Sequence, residues 1–143
     1  MGEEIKITAV IGAGVIGGGW AARLLLNGMS VKVHDPSPLS EKNLKEMLSN
    51  AERAYSKLTM APLVKPGTLE FVDTIENAVQ GVSFIQESVP ENPDLKRSVL
   101  NEIDQHAPET AVICSSTSGL KPSLLQKGMK NPERFLVGHP FNP

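Results

Sequence analysis

The 143-residue chain holds one cysteine, one tryptophan, one tyrosine, four phenylalanines and three histidines. A lone cysteine, Cys114, cannot close an internal disulfide, which excludes a disulfide-stapled scaffold and fits a reducing, cytoplasmic compartment. No sign of charge dominates: the formal net charge is −2, with acidic and basic residues interspersed. Neither nucleic acid nor an anionic membrane surface is therefore an expected partner. Long apolar runs are also missing, since Thr8–Ile11 and Leu24–Leu26 fall far short of a membrane span. The acidic start Met1-Gly2-Glu3-Glu4 is unlike a signal peptide. No cluster of histidine, cysteine and carboxylate has metal-ligand spacing, so no metal is expected. What remains, at 40% hydrophobic and 21% charged residues, is an ordinary globular composition at the length of one domain, 1–143.

Short apolar runs alternate with longer helical patterns, which predicts an α/β fold with a Rossmann-type doubly wound, mostly parallel sheet. The expected strands are 5–11, 30–34, 69–72, 83–87, 111–115 and 135–138. Between them the pattern predicts helices over 15–27, 37–58 (as one helix or two), 75–79, 94–106 and 122–126. Asn27-Gly28 closes the first helix, because glycine accepts the left-handed conformation that helix ends need. Ser40 is expected to cap the second helix and Asp94 to favour the start of the fourth. The prolines and glycine of 61–67 break the long helix. The chain stops at Pro143, directly after a strand end, where ligands sit in such sheets. That predicts a piece of a longer enzyme.

Gly12-Ala13-Gly14-Val15-Ile16-Gly17 follows the first strand and opens the first helix. In that context G-x-G-x-x-G is a dinucleotide fingerprint. Gly12 permits the tight turn, Gly14 lets the backbone approach a pyrophosphate, and Gly17 lets helix and strand pack closely. Free N–H groups at the positive helix end then hold the phosphates. Ala21 is small enough to extend the close contact, and Gly18 and Gly19 point to proximity to ligand or sheet. Asp35 ends the second strand, 18 residues beyond Gly17, where a carboxylate accepts the adenosine ribose hydroxyls and repels a 2′-phosphate. With Pro36 rather than arginine next, the expected cofactor is NAD and not NADP.

Three further segments stand out: Gln86–Asn92 with Lys96, Ser115–Leu120, and His139-Pro140-Phe141-Asn142-Pro143. Together with the glycine motif, the whole chain resembles the 3-hydroxyacyl-CoA dehydrogenase family, whose nucleotide domain is followed by a helical dimerisation domain. Segments 50–55, 58–63 and 115–120 are similar to the branch acting on L-carnitine. The λ-crystallin/L-gulonate branch shares 89–92 and 94–97. The resemblance implies an NAD-dependent oxidation of a small 3-hydroxy acid, L-carnitine to 3-dehydrocarnitine, in a homodimer. The alternatives are a 3-hydroxyacyl-CoA substrate or a non-catalytic, crystallin-like role. It assigns His139 as catalytic base, Ser118 to substrate and nicotinamide, and Glu91, Lys96 and Asn142 to the nicotinamide half of the cofactor. The glutamate that orients the family's histidine would fall about a dozen residues beyond His139. Ser116 departs from the asparagine usual in the acyl-CoA enzymes.

The chemistry also follows from the residues. Oxidising a secondary alcohol by hydride transfer needs a base for the hydroxyl proton, and an imidazole, with an ordinary pKa of about 6.5, suits that role. His139 follows a strand at the ligand-binding end, and Ser118, 21 residues earlier, lies in the preceding strand-to-helix turn, where it also reads as a helix cap. By themselves Glu91 reads as a solvated turn acid and Lys96 as a solvated helix lysine. His34 reads as structural, His106 as a partner of its helix dipole, Cys114 as a buried thiol and Trp20 as core or interface. Along 40–58, Lys42, Lys45, Arg53 and Lys57 are offset by Glu41, Glu46 and Glu52, so no clamp for CoA phosphates stands out.

Overall fold

The computed structural model describes residues 6–58, 60 and 62–141. Ile5, Ala61 and Asn142, each part of an expectation above, lie outside the described residues. Among the described residues strands and α-helices alternate, with a 3-10 turn Pro132–Arg134 before the last strand: β1 Ile7–Ile11, α1 Val15–Leu26, β2 Ser30–His34, α2 Ser40–Leu58, β3 Leu69–Phe71, α3 Ile75–Val79, β4 Phe84–Glu87, α4 Pro93–His106, β5 Val112–Ser115, α5 Pro122–Leu125 and β6 Phe135–Val137. The six strands form one sheet in the order β3-β2-β1-β4-β5-β6, and every pairing is parallel. This is the doubly wound arrangement, with the order reversing between β1 and β4.

Helices cover both faces of the sheet over β1, which is why Ala9, Val10 and Ile11 run apolar without alternation. Val10, Val31 and Val33 pack under α1 and α2 with Ala21, Leu24, Leu25 and Leu44. Ala9, Ile11, Ile85 and Ile113 face the other way, against Val79, Val99, Leu100 and Ile103 of α3 and α4. The period of two along β1 thus divides one apolar run between two cores.

Strand ends differ from the sequence pattern by a residue or two because ladder bonds continue past the regular geometry. Val72 still donates to Val33 O at 2.9 Å and Gly138 to Ser115 O at 2.9 Å. Helix α2 is one helix and begins at Ser40 rather than Ser37, after a turn in which Pro36 and Pro38 cannot donate. Ser40 does not cap it: its hydroxyl donates to Ser37 O at 2.8 Å. The cap that forms at α4 is Asn92, whose Oδ1 accepts from the N–H groups of Asp94 and Leu95 at 3.0 Å each. Gly28, with φ +85°, ends α1 as expected.

The segment leading into β6 is fixed by a buried ion pair. Arg134 Nη2 lies 2.7 Å from Asp104 Oδ1, and its Nε donates to the same oxygen at 3.0 Å. The other Asp104 oxygen accepts from the backbone N–H groups of Lys130 and Asn131. Burial works to raise the Asp104 pKa, but Arg134 and these N–H groups outweigh it and hold the carboxyl below the usual aspartate range. This stabilisation is present above the unfolded aspartate pKa and is lost as pH falls through the lowered folded value. Asp104→Asn is expected to cost about 3–5 kcal/mol at pH 7, since it leaves Arg134 buried without an anion. In urea melts, the gap between wild type and variant should persist at pH 5 and narrow only below about pH 4; a gap independent of pH would contradict it.

Candidate active site

The glycine loop is built by steric exclusion. Gly12, with φ +89°, donates its N–H to His34 O at 2.9 Å. A Cβ there would meet the Ser88 carbonyl at 2.8 Å, and one at Gly17 would overlap the Gly12 carbonyl. Around Gly14, by contrast, nothing lies within 4 Å of a Cβ position. Gly14 is the N-cap of α1, with no side-chain cap and no acidic residue in the first turn. The positive end of α1 thus opens unshielded.

Asp35 ties this loop to the end of β2. Its Oδ2 accepts from Ala13 N at 2.7 Å and its Oδ1 from Ser37 N at 2.8 Å, and its exposed side still lines the cavity. His34 Nδ1 lies 3.1 Å from Val72 O, and the residue also lines the cavity beside Asp35. Gly18 serves neither ligand nor sheet, contrary to expectation: its space belongs to α2, where Met47 Cε and Leu44 Cδ1 lie 2.6 and 3.4 Å from a Cβ position. Loop, α1 start and strand ends bound a groove of about 680 Å³ that runs from Asp35 and Pro36 past Gly14, Val15 and Ile16 to Glu91 and Ser118.

At the far end of the groove lies a charged cluster in which Lys96 is not the solvated helix lysine read from the sequence, while Glu91 stays half exposed on a turn. Lys96 is buried, with only 1% of its side chain exposed, and its Nζ donates to Glu87 Oε1 at 2.8 Å and Val89 O at 3.0 Å. Glu87, 0% exposed, also accepts from Val89 N at 2.7 Å and from the Ser115 hydroxyl. Glu91 Oε2 lies 3.6 Å from Lys96, while its Oε1 accepts from Thr117 Oγ1 at 2.6 Å, Ser118 N at 3.0 Å and Gly119 N at 3.3 Å. Burial works to raise the Glu91 pKa; the Thr117 hydroxyl, the Gly119 and Ser118 N–H groups and Lys96 together lower it below the usual glutamate range. Glu91 is therefore an ionised clamp on the 117–119 turn.

That turn presents Ser118 to His139, with Oγ and Nε2 3.0 Å apart. Ser118 does not cap α5; the N-cap is Lys121, without a side-chain bond. Phe141 stands edge-on to His139 at 6.2 Å. Ser116 joins Gln86 Nε2 and Ser88 Oγ, each at 2.7 Å, on the groove wall. Cys114 lies behind the strand ends as a buried thiol, pushed up to about 11 by burial. Nothing local in the sequence marks Thr117 or the Asp104–Arg134 pair; for Glu87 the signal is a carboxylate that closes a strand.

The family model described as the NAD-binding domain of 3-hydroxyacyl-CoA dehydrogenase matches residues 7–143. The chain belongs to this family. It is 54% identical over 140 residues to an L-carnitine dehydrogenase of Mesorhizobium japonicum, covering 97% of the chain and 38% of that protein. It is 57% identical over 139 residues to an L-carnitine dehydrogenase/betainyl-CoA thioesterase of Rhizobium meliloti, covering 97% and 28%. A crystal structure of 5-formyl-3-hydroxy-2-methylpyridine 4-carboxylic acid 5-dehydrogenase, described as an NAD+-dependent dismutase, superposes with a TM-score of 0.87 at 37% identity over 98% of the chain and 46% of its own. The chain thus spans less than half the length of the curated relatives it matches.

The residues present fit NAD: an uncapped helix end, a glycine with open space at its Cβ and an acid at the end of β2. Gly14→Ala should leave the melting temperature within a few degrees while lowering NAD affinity by about tenfold or more, about 1.4 kcal/mol per factor of ten. Gly17→Ala should fail on folding itself. Calorimetric titration alongside thermal melts tests both, and a Gly14→Ala protein binding NAD like wild type would refute the assignment of the groove.

Proposed function

We propose that this domain serves an NAD-dependent dehydrogenase of small 3-hydroxy acids, taking L-carnitine to 3-dehydrocarnitine. The observation that carries the reading is the 3.0 Å pair of Ser118 Oγ and His139 Nε2, close to the groove end that Ser118 and Glu91 line. Bound NAD would accept hydride from the carbinol carbon. His139 Nε2 takes the hydroxyl proton as the carbonyl forms, and the Ser118 hydroxyl turns from His139 to the substrate oxygen to hold it in line. Asp35 would take the ribose hydroxyls and favour NAD over NADP. Glu91 and Asn142 would serve the nicotinamide half, Glu91 also by fixing Ser118, and Lys96, buried against Glu87 and Val89, would serve it through Glu91. A helical domain, a homodimer and a cytoplasmic location complete the proposal.

The surface of α2 supports carnitine over a CoA thioester. Two of its four cations are engaged within the helix, Lys45 with Glu41 at 2.6 Å and Arg53 with Asn50. Ser116, in place of the asparagine of the acyl-CoA enzymes, is itself held by Gln86 and Ser88.

In the intact enzyme, His139→Gln should lower kcat for L-carnitine oxidation by roughly 10²–10⁴-fold, the usual contribution of a general base, with little change in NAD affinity. Ser118→Ala should affect both kcat and KM. Asp35→Ala should erode the preference for NAD over NADP. NADH formation and nucleotide titration are the readouts. A His139→Gln enzyme with near-normal kcat would place the base elsewhere.

A further inference from the structure

Helix α1 carries a glycine that its packing does not explain. A mid-helix glycine costs about 1 kcal/mol relative to alanine. Gly17 and Gly18 are accounted for, because a Cβ at either would collide with a neighbour. At Gly19 nothing lies within 4 Å of a Cβ position. The space left open belongs to a second groove of about 240 Å³, lined by Val15, Ile16, Gly19, Trp20, Arg23, His139 and Pro140. His139 makes this groove continuous with the place where the alcohol would react.

The charge of the groove is one-sided. No aspartate or glutamate lines it, and Arg23 has no carboxylate partner among the described residues. The guanidinium lies 5.2 Å from the Tyr55 ring centroid, a contact that orients it without neutralising it. Trp20, backed by Phe84 at 6.1 Å between ring centroids, gives one apolar wall, and Val15 and Ile16 give another. A compact anion on a short apolar stem fits these walls. A quaternary ammonium would meet the indole face but would be repelled by Arg23.

We propose that this groove is the carboxylate subsite of the 3-hydroxy acid, with Arg23 as the counter-charge and Gly19 keeping the space open. The inference rests on the reading of the substrate given above. The carboxylate of such an acid is one methylene from the carbinol carbon, so an alcohol held at His139 and Ser118 brings its acid end to a neighbouring wall. The quaternary ammonium then points away from α1. Arg23 is a specificity-determining residue here and takes no part in proton transfer.

The test compares L-carnitine with its methyl ester as substrates of the intact, NAD-saturated enzyme. Wild type should favour the acid in kcat/KM by about 10–100-fold, the scale of a charge-assisted hydrogen bond. Arg23→Gln should bring that ratio close to one, through KM more than kcat. Gly19→Ala should raise KM for acid and ester alike while its melting temperature stays level or rises, an outcome that a purely structural glycine would not give. A wild-type acid-to-ester ratio in Arg23→Gln, or a wild-type KM in Gly19→Ala, would overturn the subsite. An enzyme that oxidises only 3-hydroxyacyl-CoA thioesters would overturn the substrate reading itself, and with it the need for a carboxylate subsite.

Discussion

Lys96 extends from the second turn of α4 into the ends of β4 and β5 and meets Glu87 with almost no solvent around either charge. Such a pair is costly to desolvate, and it persists only where its remaining donors and acceptors are satisfied. Here Val89 supplies both a carbonyl and an N–H, and Ser115 supplies a hydroxyl. The pair therefore joins the β4–α4 loop, the helix that follows it and the end of β5. Glu91 adds the 117–119 turn to the same assembly. The position of Ser118 against His139 is a consequence of these bonds, together with the Arg134 clamp that leads into β6.

A second constraint acts at the other end of the groove and is steric rather than electrostatic. Gly12 sits against the Ser88 backbone, and Ser88 is one residue from Glu87. The dinucleotide loop and the charged cluster thus meet at the switch point between β1 and β4, where the order of the sheet reverses. This coupling explains how a domain with few aromatic residues keeps a defined groove: backbone contacts at glycines and a saturated ion pair do what bulky side chains do elsewhere.

The order of elements was legible in the sequence because each carries its own periodicity, and Gly28 and the glycine fingerprint have local stereochemical meaning. What the sequence could not supply depends on residues distant in the chain. The start of α2 follows from a proline turn, and the reason for Gly18 lies in Met47 of another helix. Lys96 has the local setting of a solvated helix residue; its burial is visible only when Glu87, nine positions earlier, is folded beneath it. Ser118 and His139 were singled out by resemblance and spacing, and the structure brings them to 3.0 Å. Which atoms hold the serine there, Glu91 and Thr117, required the tertiary fold.

The dependence of the site on the buried pair is tested most directly by measuring melting temperature and kcat together for two variants of the intact enzyme, Lys96→Met alone and Lys96→Met with Glu87→Leu. Removing one buried charge should destabilise strongly, and removing both should restore much of the stability, because an apolar pair avoids the desolvation penalty. If the pair holds the loops that carry Ser118, kcat should stay low in the double variant while the melting temperature recovers. Recovery of both quantities together would show that Glu87 and Lys96 only fill space, and that the alignment of Ser118 with His139 does not depend on them.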